Sequence, residues 1–484
     1  MNTIYPPTQP LYSSRRSPVL AQNIVATSHP LAAQAGIQMI AKGGNAIDAA
    51  IASAITLTVV EPTGCGLGSD AFAVIWDGEK LHGLNASGKS AINYANEGFP
   101  VSPIISKLWK IGADELKNEV GFAENFMRNN RAPFSGEIFI NKDLGRSLTL
   151  IAETKTKAFY EGELGEAIER CAIENEAALT LNDLKKHENE WCGTISQEFE
   201  NFSLHEIPPN TQGIAALMAL GILEHTNIKS LTPDNPSAIH LQIEAIKLCL
   251  ADVETYVSDP SNMNEITAKD LLQESYLEKR AKLIDPNKSQ NFKSGSPKSG
   301  GTVYVTAADK SGLMVSFIQS NYAGFGSGVC VPGTGIHLQN RGAGFSLDPN
   351  SANFVGPKKR PFHTIIPGFL MKDTLPLMSF GVMGGPMQAQ GHIQLILRTE
   401  LWGQDPQTAI DAPRWRFDHG QQLAVEKSMP PKTIKSLSEM GHHIKIEGYD
   451  NSFGFGGAQI IKKLENGSYI AGSDPRKDGQ ALGI

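Results

Sequence analysis

The most reactive arrangement in the sequence is Ser299-Gly300-Gly301-Thr302, a flexible leader running into a threonine that heads an apolar, β-branched stretch. Glycine permits backbone angles that other residues resist, and a strand core after it would fix the hydroxyl in place. A threonine held in this way can attack the carbonyl that precedes it. Hydrolysis of the resulting ester leaves Thr302 as a new N-terminus, and its α-amine, with a reference pKa of about 7.7–8.0, can then act as general base for its own hydroxyl. Gly-Gly-Thr is also a common way to start a strand, so spacing alone leaves both readings open.

Gly384-Gly385 follows the apolar run Leu377 to Met383 and precedes a helical pattern from Met387 to Leu401. Two unobstructed amides near a helix N-terminus can hold an oxyanion, and a plain tight turn is the structural alternative. Gly64-Cys-Gly-Leu-Gly68 has the wrong context for a dinucleotide, since the order is helix, turn, strand; close backbone packing is expected there. The 12 histidines form no His-Glu-x-x-His motif and do not pair with cysteine, so no metal site is expected. His240 lies four residues before Glu244, which suggests a structural contact within one helix, and His363 and His392 read as satisfied histidines. Nucleophile-elbow, P-loop and kinase signatures are absent.

These groups need elements to position them. Pro30 to the Gly43-Gly44 stop, then Asn45 capping Ala49 to Val60, predict two packed helices, the second apolar nearly all round. Ala71–Trp76 and Lys80–Leu84 around Asp77-Gly78 predict a strand pair, and helical periodicity returns at 148–190, 214–223 and 239–257, so the first half reads as mostly helical. Asp285 to Gly301 reads as a mobile surface loop. Thr302–Ala308 and Leu313–Gln319 around Asp309-Lys-Ser-Gly312 predict a hairpin.

The 484 residues are 40% hydrophobic and 19% charged, which excludes disorder, and the formal charge of −7 gives no footprint for nucleic acid. Five cysteines without a Cys-x-x-Cys pair argue against a disulfide framework and fit a reducing compartment. With no run of 18 apolar residues and no signal-like N-terminus, a soluble, cytoplasmic protein is expected, with no membrane partner.

Ser28-His-Pro-Leu-Ala32, Gly43-Gly-Asn-Ala-Ile-Asp-Ala-Ala50, Val60-Glu-Pro62, Phe159-Tyr-Glu-Gly162, Leu181-Asn-Asp-Leu184, Asp259-Pro260, Gly326-Ser-Gly328, Lys359-Arg-Pro361, Asp411-Ala-Pro-Arg414 and Ser473-Asp-Pro-Arg476 span the chain nearly end to end. By these motifs the sequence resembles the γ-glutamyltranspeptidase family of N-terminal nucleophile hydrolases. The resemblance implies an α/β fold, a four-layer α/β/β/α sandwich made as one chain and cut by itself before Thr302. Residues 1–301 would form a helix-rich large subunit and 302–484 a small one. It further implies Thr302 as nucleophile and later α-amine base, Ser320 at a family threonine that hydrogen-bonds it, and the Gly384 and Gly385 amides as oxyanion hole. A small-molecule amide is the implied partner, alongside the two fragments of the same chain, and no metal or organic cofactor is implied.

The substrate pocket departs from the family. Where the transpeptidases place an arginine for the glutamate α-carboxylate, this chain offers Lys89. The acidic residue for the α-amino group is missing after Gln339-Asn340, where Arg341 follows instead, and the paired serines become His363 and Thr364. Lys89, Asn321, Tyr322, Arg341, His363 and Thr364 are the expected substrate contacts. Arg341 and Lys89 suit a small anionic acid without an ammonium group. Gln319-Ser-Asn-Tyr322 is similar to the branch that includes oxamate amidohydrolase. A stretch usual between Ser90-Ala91 and Glu97 is also shortened. Three outcomes stay open: γ-glutamyl compounds such as glutathione as substrates, a small acid amide such as oxamate, or an uncleaved, non-catalytic paralogue.

Overall fold

The computed structural model describes residue 12 and residues 16–85, 92–263, 266–292, 301–448 and 454–484. Two seven-stranded sheets form its centre. One runs, edge to edge, through Val19–Ala21, Tyr469–Ser473, Gly457–Lys463, Leu375–Met383, Gly368–Lys372, Phe202–Glu206 and Ile195–Phe199. The other runs through Gln480–Gly483, Ile24–Thr27, Gly301–Ala308, Met314–Tyr322, Asp70–Trp76, Leu81–Asn85 and Glu190–Trp191, its pairs antiparallel throughout.

Alternation along the strand Gly301–Ala308 explains the layering. Val303, Val305 and Ala307 pack in the core shared with the helix Ala46–Val60, whereas Tyr304 and Ala308 belong to the core between the sheets. A side-chain period of two sends neighbours to opposite faces, so Thr302, Tyr304 and Thr306 all look toward the facing sheet. Beyond that sheet, Gly213–Glu224, Pro236–Tyr256 and Met387–Ile396 build the third core. The result is the expected α/β/β/α sandwich.

The helices expected at the start are Pro30–Ala41 and Ala46–Val60, and Asn45 closes a capping box with Asp48. The second is buried nearly all round, and its first amide donates to Asp309 Oδ2 at 2.7 Å, tying it to the turn after the Thr302 strand. The first half is mostly helical, as expected, and also supplies strands to both sheets.

The loop expected from 285 to 301 is corrected in its first part. Lys247 Nζ, buried against Glu244 Oε1 at 2.6 Å, donates to Ser289 Oγ at 2.8 Å and to the Gln290 carbonyl at 3.1 Å, and Ser289 N donates to Met440 O. Residues 285–292 are thereby docked on the helix Pro236–Tyr256, and 293–300 lie outside the described residues. His240 lies within 4.8 Å of Glu244 on the same helix, as expected, and its ring hydrogen-bonds His442 Nε2 and the Asp285 carbonyl, both at 2.8 Å.

Candidate active site

Thr302 is 1% exposed, and its Oγ1 lies 3.1 Å from Ser320 Oγ on the adjacent strand. The pairing slips here: Gly301 faces Tyr322, yet Val303 faces Gln319, so two residues of the second strand oppose Thr302. Bulges of this kind re-aim side chains. Ser320 Oγ also accepts from Tyr322 N at 2.8 Å, which orients its hydroxyl.

The register between the sheets places the glycine pair. Thr306 Oγ1 meets Ser379 Oγ at 2.5 Å, and Tyr304 lies against Gly381, where an added Cβ would come within 2.4 Å of its ring. Extending this register by two residues brings Thr302 opposite Met383, immediately before Gly384-Gly385. Both glycines have positive φ, 126° and 60°, which side-chain-bearing residues rarely adopt. Among the described residues neither glycine amide donates a hydrogen bond. Gln212 braces the turn, its Nε2 donating to the Gly385 carbonyl at 2.8 Å and to the Thr364 carbonyl.

A polar pocket adjoins Ser320. Asp70, which heads the strand Asp70–Trp76, pairs directly with Ser320 in the ladder. Its Oδ2 accepts from Arg341 Nε at 3.0 Å and lies 3.2 Å from His363 Nε2. Arg341 Nη1 donates to Thr364 Oγ1 at 2.9 Å, and the guanidinium sits 4.5 Å over the Tyr322 ring. Burial alone would raise the Asp70 carboxyl, but His363 and Arg341 outweigh it and hold it below its usual range. Burial, with Arg341 alongside, pushes His363 down to about 4, so it is neutral and its Nε2 carries the proton toward Asp70. Among the described residues, Arg341 Nη2 and His363 Nδ1 have no hydrogen-bond partner.

Of the expected site residues, Thr302, Ser320, Tyr322, Arg341, His363 and Thr364 come together here, and Gly385 is tied to Thr364 through Gln212. Asn321 does not. One position from Ser320, it points to the other face of the sheet, where Ser69 Oγ donates to its Oδ1 and its Nδ2 meets the Pro62 carbonyl and His337 Nε2. It is a packing residue instead of a substrate contact. Lys89 lies outside the described residues. The position after Gln339-Asn340 carries no acidic group, as read from the sequence, and Asp70 brings a carboxylate to Arg341 from the strand Asp70–Trp76. Neither Asp70 nor Gln212 carried a sequence signal, since each acquires its place only through pairing between distant segments.

The glycine run 64–68 serves close packing as expected: a Cβ on Gly64 would lie 2.7 Å from Val303 Cγ1 and 3.3 Å from the Thr302 carbonyl. His392 Nδ1 meets Glu206 Oε1 at 2.6 Å, both side chains fully buried, while its Nε2 has no partner among the described residues, so the expected satisfied histidine holds at one nitrogen only.

The γ-glutamyltranspeptidase family model matches residues 32–91 and 89–484, its two segments meeting where the sequence is shortened. The chain belongs to the γ-glutamyltranspeptidase family. It is 34% identical to the glutathione hydrolase-like YwrD proenzyme of Bacillus subtilis, over 97% of this chain and all of that one. It is 30% identical to the oxamate amidohydrolase proenzyme of Klebsiella pneumoniae, over 96% and 99% of the two chains. The structure of cephalosporin acylase from Bacillus halodurans superposes with a TM-score of 0.91 at 40% identity, covering 99% of each. This chain is thus an amide-cleaving hydrolase of the N-terminal nucleophile class.

Proposed function

We propose that the chain cuts itself between Gly301 and Thr302 and that Thr302 then cleaves an amide through an acyl-threonine ester. The observation that carries this reading is the buried Thr302 hydroxyl, fixed by Ser320 at the head of a central strand directly after Gly301. In maturation the Thr302 oxygen bonds to the Gly301 carbonyl carbon, the C–N bond breaks, and the hydroxyl proton passes to the departing amine. Water then hydrolyses the ester, leaving the Gly301 carboxylate and a free Thr302 amine.

In turnover that amine takes the hydroxyl proton as the oxygen attacks the substrate carbonyl. The Gly384 and Gly385 amides stabilise the oxyanion; donors so preorganised are worth about 10²–10³-fold in rate. The leaving amine departs with the proton, and water, activated by the same α-amine, releases the acid. The polar wall of Asp70, Arg341, His363 and Thr364 receives the acid part of the substrate. The free cysteines support a reducing, cytoplasmic setting.

The test is acyl-enzyme trapping. Mature protein mixed with an activated amide and quenched in acid should carry the acyl mass on the fragment that begins at Thr302. An acyl mass on the other fragment, or none during turnover, contradicts the assignment, and an uncut, inactive chain favours a binding protein.

A further inference from the structure

We propose that Gln212 is a positioning residue for the reaction: its side chain holds the Gly384-Gly385 turn in the conformation that aims the two glycine amides at the oxyanion. The inference rests on the reading of those amides as oxyanion donors and goes beyond it to the group that fixes them.

Two successive glycines do not hold a shape by themselves. Gly384 and Gly385 sit at φ 126° and 60°, and without a Cβ each has a wide choice of other backbone angles, so the turn depends on what bonds its carbonyls. Two bonds come from the helix that follows: Met387 N donates to the Gly384 carbonyl at 3.2 Å and Gln388 N to the Gly385 carbonyl at 3.1 Å. Pro386, at the junction, has no N–H to add. The third bond is from Gln212 Nε2 to the Gly385 carbonyl at 2.8 Å, and among the described residues it alone comes from a distant segment. A carbonyl held on one side of the Gly385 Cα restricts the rotation that would swing the amide on the other side out of aim.

Gln212 can do this because its own place is fixed twice over. Its backbone N donates to the His363 carbonyl at 2.9 Å, and His363 N donates to the Asn210 carbonyl at 2.9 Å, a short parallel pairing of Thr211 with His363. The residue is 1% exposed and leads straight into the helix Gly213–Glu224, which is buried from Gly213 to Leu223. A glutamine amide has two N–H groups to give, and here two carbonyls take them, those of Gly385 and Thr364. One buried group thus ties the turn to the segment of His363 and Thr364. Without it the Thr364 carbonyl has no donor among the described residues, and the Gly385 carbonyl has only its own helix.

The probe is p-nitrophenyl acetate, whose small, uncharged acyl group reaches Thr302 without drawing on Asp70 or Arg341. In mature full-length enzyme the Thr302 oxygen bonds to the acetyl carbon, p-nitrophenolate leaves, and the α-amine takes the hydroxyl proton. Gln212→Met keeps the side-chain length and removes both donors, so the acylation rate constant should fall about 10- to 100-fold with KM nearly unchanged. The thionoester, with sulfur in place of the carbonyl oxygen, separates lost aim from general damage, because sulfur accepts hydrogen bonds poorly. Relative to their reactions with hydroxide, the wild type should prefer the oxygen ester by about 10-fold or more, and Gln212→Met should lose most of that preference. A parallel fall for both esters, or an unchanged rate, overturns the proposal. Hydrogen exchange on Thr302→Ala asks the same question with no need for maturation. Adding Gln212→Met should speed exchange about 10-fold in the peptide that spans 383–387, and unchanged exchange there overturns the proposal. A wild-type chain that is cut at Thr302 yet takes no acetyl group on the fragment beginning there contradicts the nucleophile reading instead, so the two failures are distinguishable.

Discussion

Ser320 touches the nucleophile without reacting, and its effect should be visible in how the rate is lost. Ser320→Ala removes the partner 3.1 Å from Thr302 Oγ1 and lets the hydroxyl rotate, so kcat should fall about 10- to 100-fold with KM nearly unchanged. Ser320→Thr keeps the hydroxyl and should restore most of the rate. A KM effect, or no rescue by threonine, would mean that Ser320 merely packs. Thr302→Ala should abolish both processing and turnover, and normal turnover by it would remove Thr302 from the chemistry.

Among the elements, the strand Gly301–Ala308 owes its position to what lies on both sides. Gly64 lets the turn after the helix Ala46–Val60 touch its backbone, and Gly64→Ala would press a methyl group to 2.7 Å from Val303 Cγ1. That overpacking should cost about 1–3 kcal/mol and slow self-cleavage, read as a lower melting temperature and a persistent full-length band. The two opening helices, the hairpin at 302 and the Gly-Gly turn were legible in the sequence because each is written locally, in caps, alternation and turn residues. The pocket was legible only in part. Arg341 and His363 stood in recognisable motifs, but Asp70 reaches them through the pairing of Asp70 with Ser320, a contact between segments 250 positions apart, since 320 − 70 = 250. Asn321 goes elsewhere for a related reason: its partners Ser69, Pro62 and His337 come from segments distant in sequence and hold it away from the Ser320 hydroxyl. The docking of 285–292 escaped notice because its partner is Lys247, a buried cation that composition alone assigns to the surface.

For the whole molecule, a cut at 301 would not separate domains. The strand Gly301–Ala308 lies between Ile24–Thr27 and Met314–Tyr322, and Asp70–Trp76 continues the same sheet, so fragments of 301 and 484 − 301 = 183 residues would remain interleaved. They should co-elute in gel filtration and part only in denaturant; separation in native buffer would contradict this topology. Acid should destabilise the fold. Burial pushes His29, His205, His337 and His363 down to about 4 and His442 to about 2. From pH 6.5 to about 4 the unfolded chain thus binds protons that the folded chain refuses, and stability falls as pH falls. Burial raises Glu61 to about 7 and also raises Glu206 and Asp252, which acts in the opposite sense, but these three groups are outnumbered by the five histidines. The melting temperature should therefore drop steeply below about pH 6, and a flat profile to pH 4 would contradict the neutral, buried histidines. The central claim is tested most directly by mass spectrometry of the purified full-length protein with N-terminal sequencing of its pieces. A fragment beginning at Thr302 is the expected result; a chain that stays at 52.2 kDa, or one cut elsewhere while active, would contradict it.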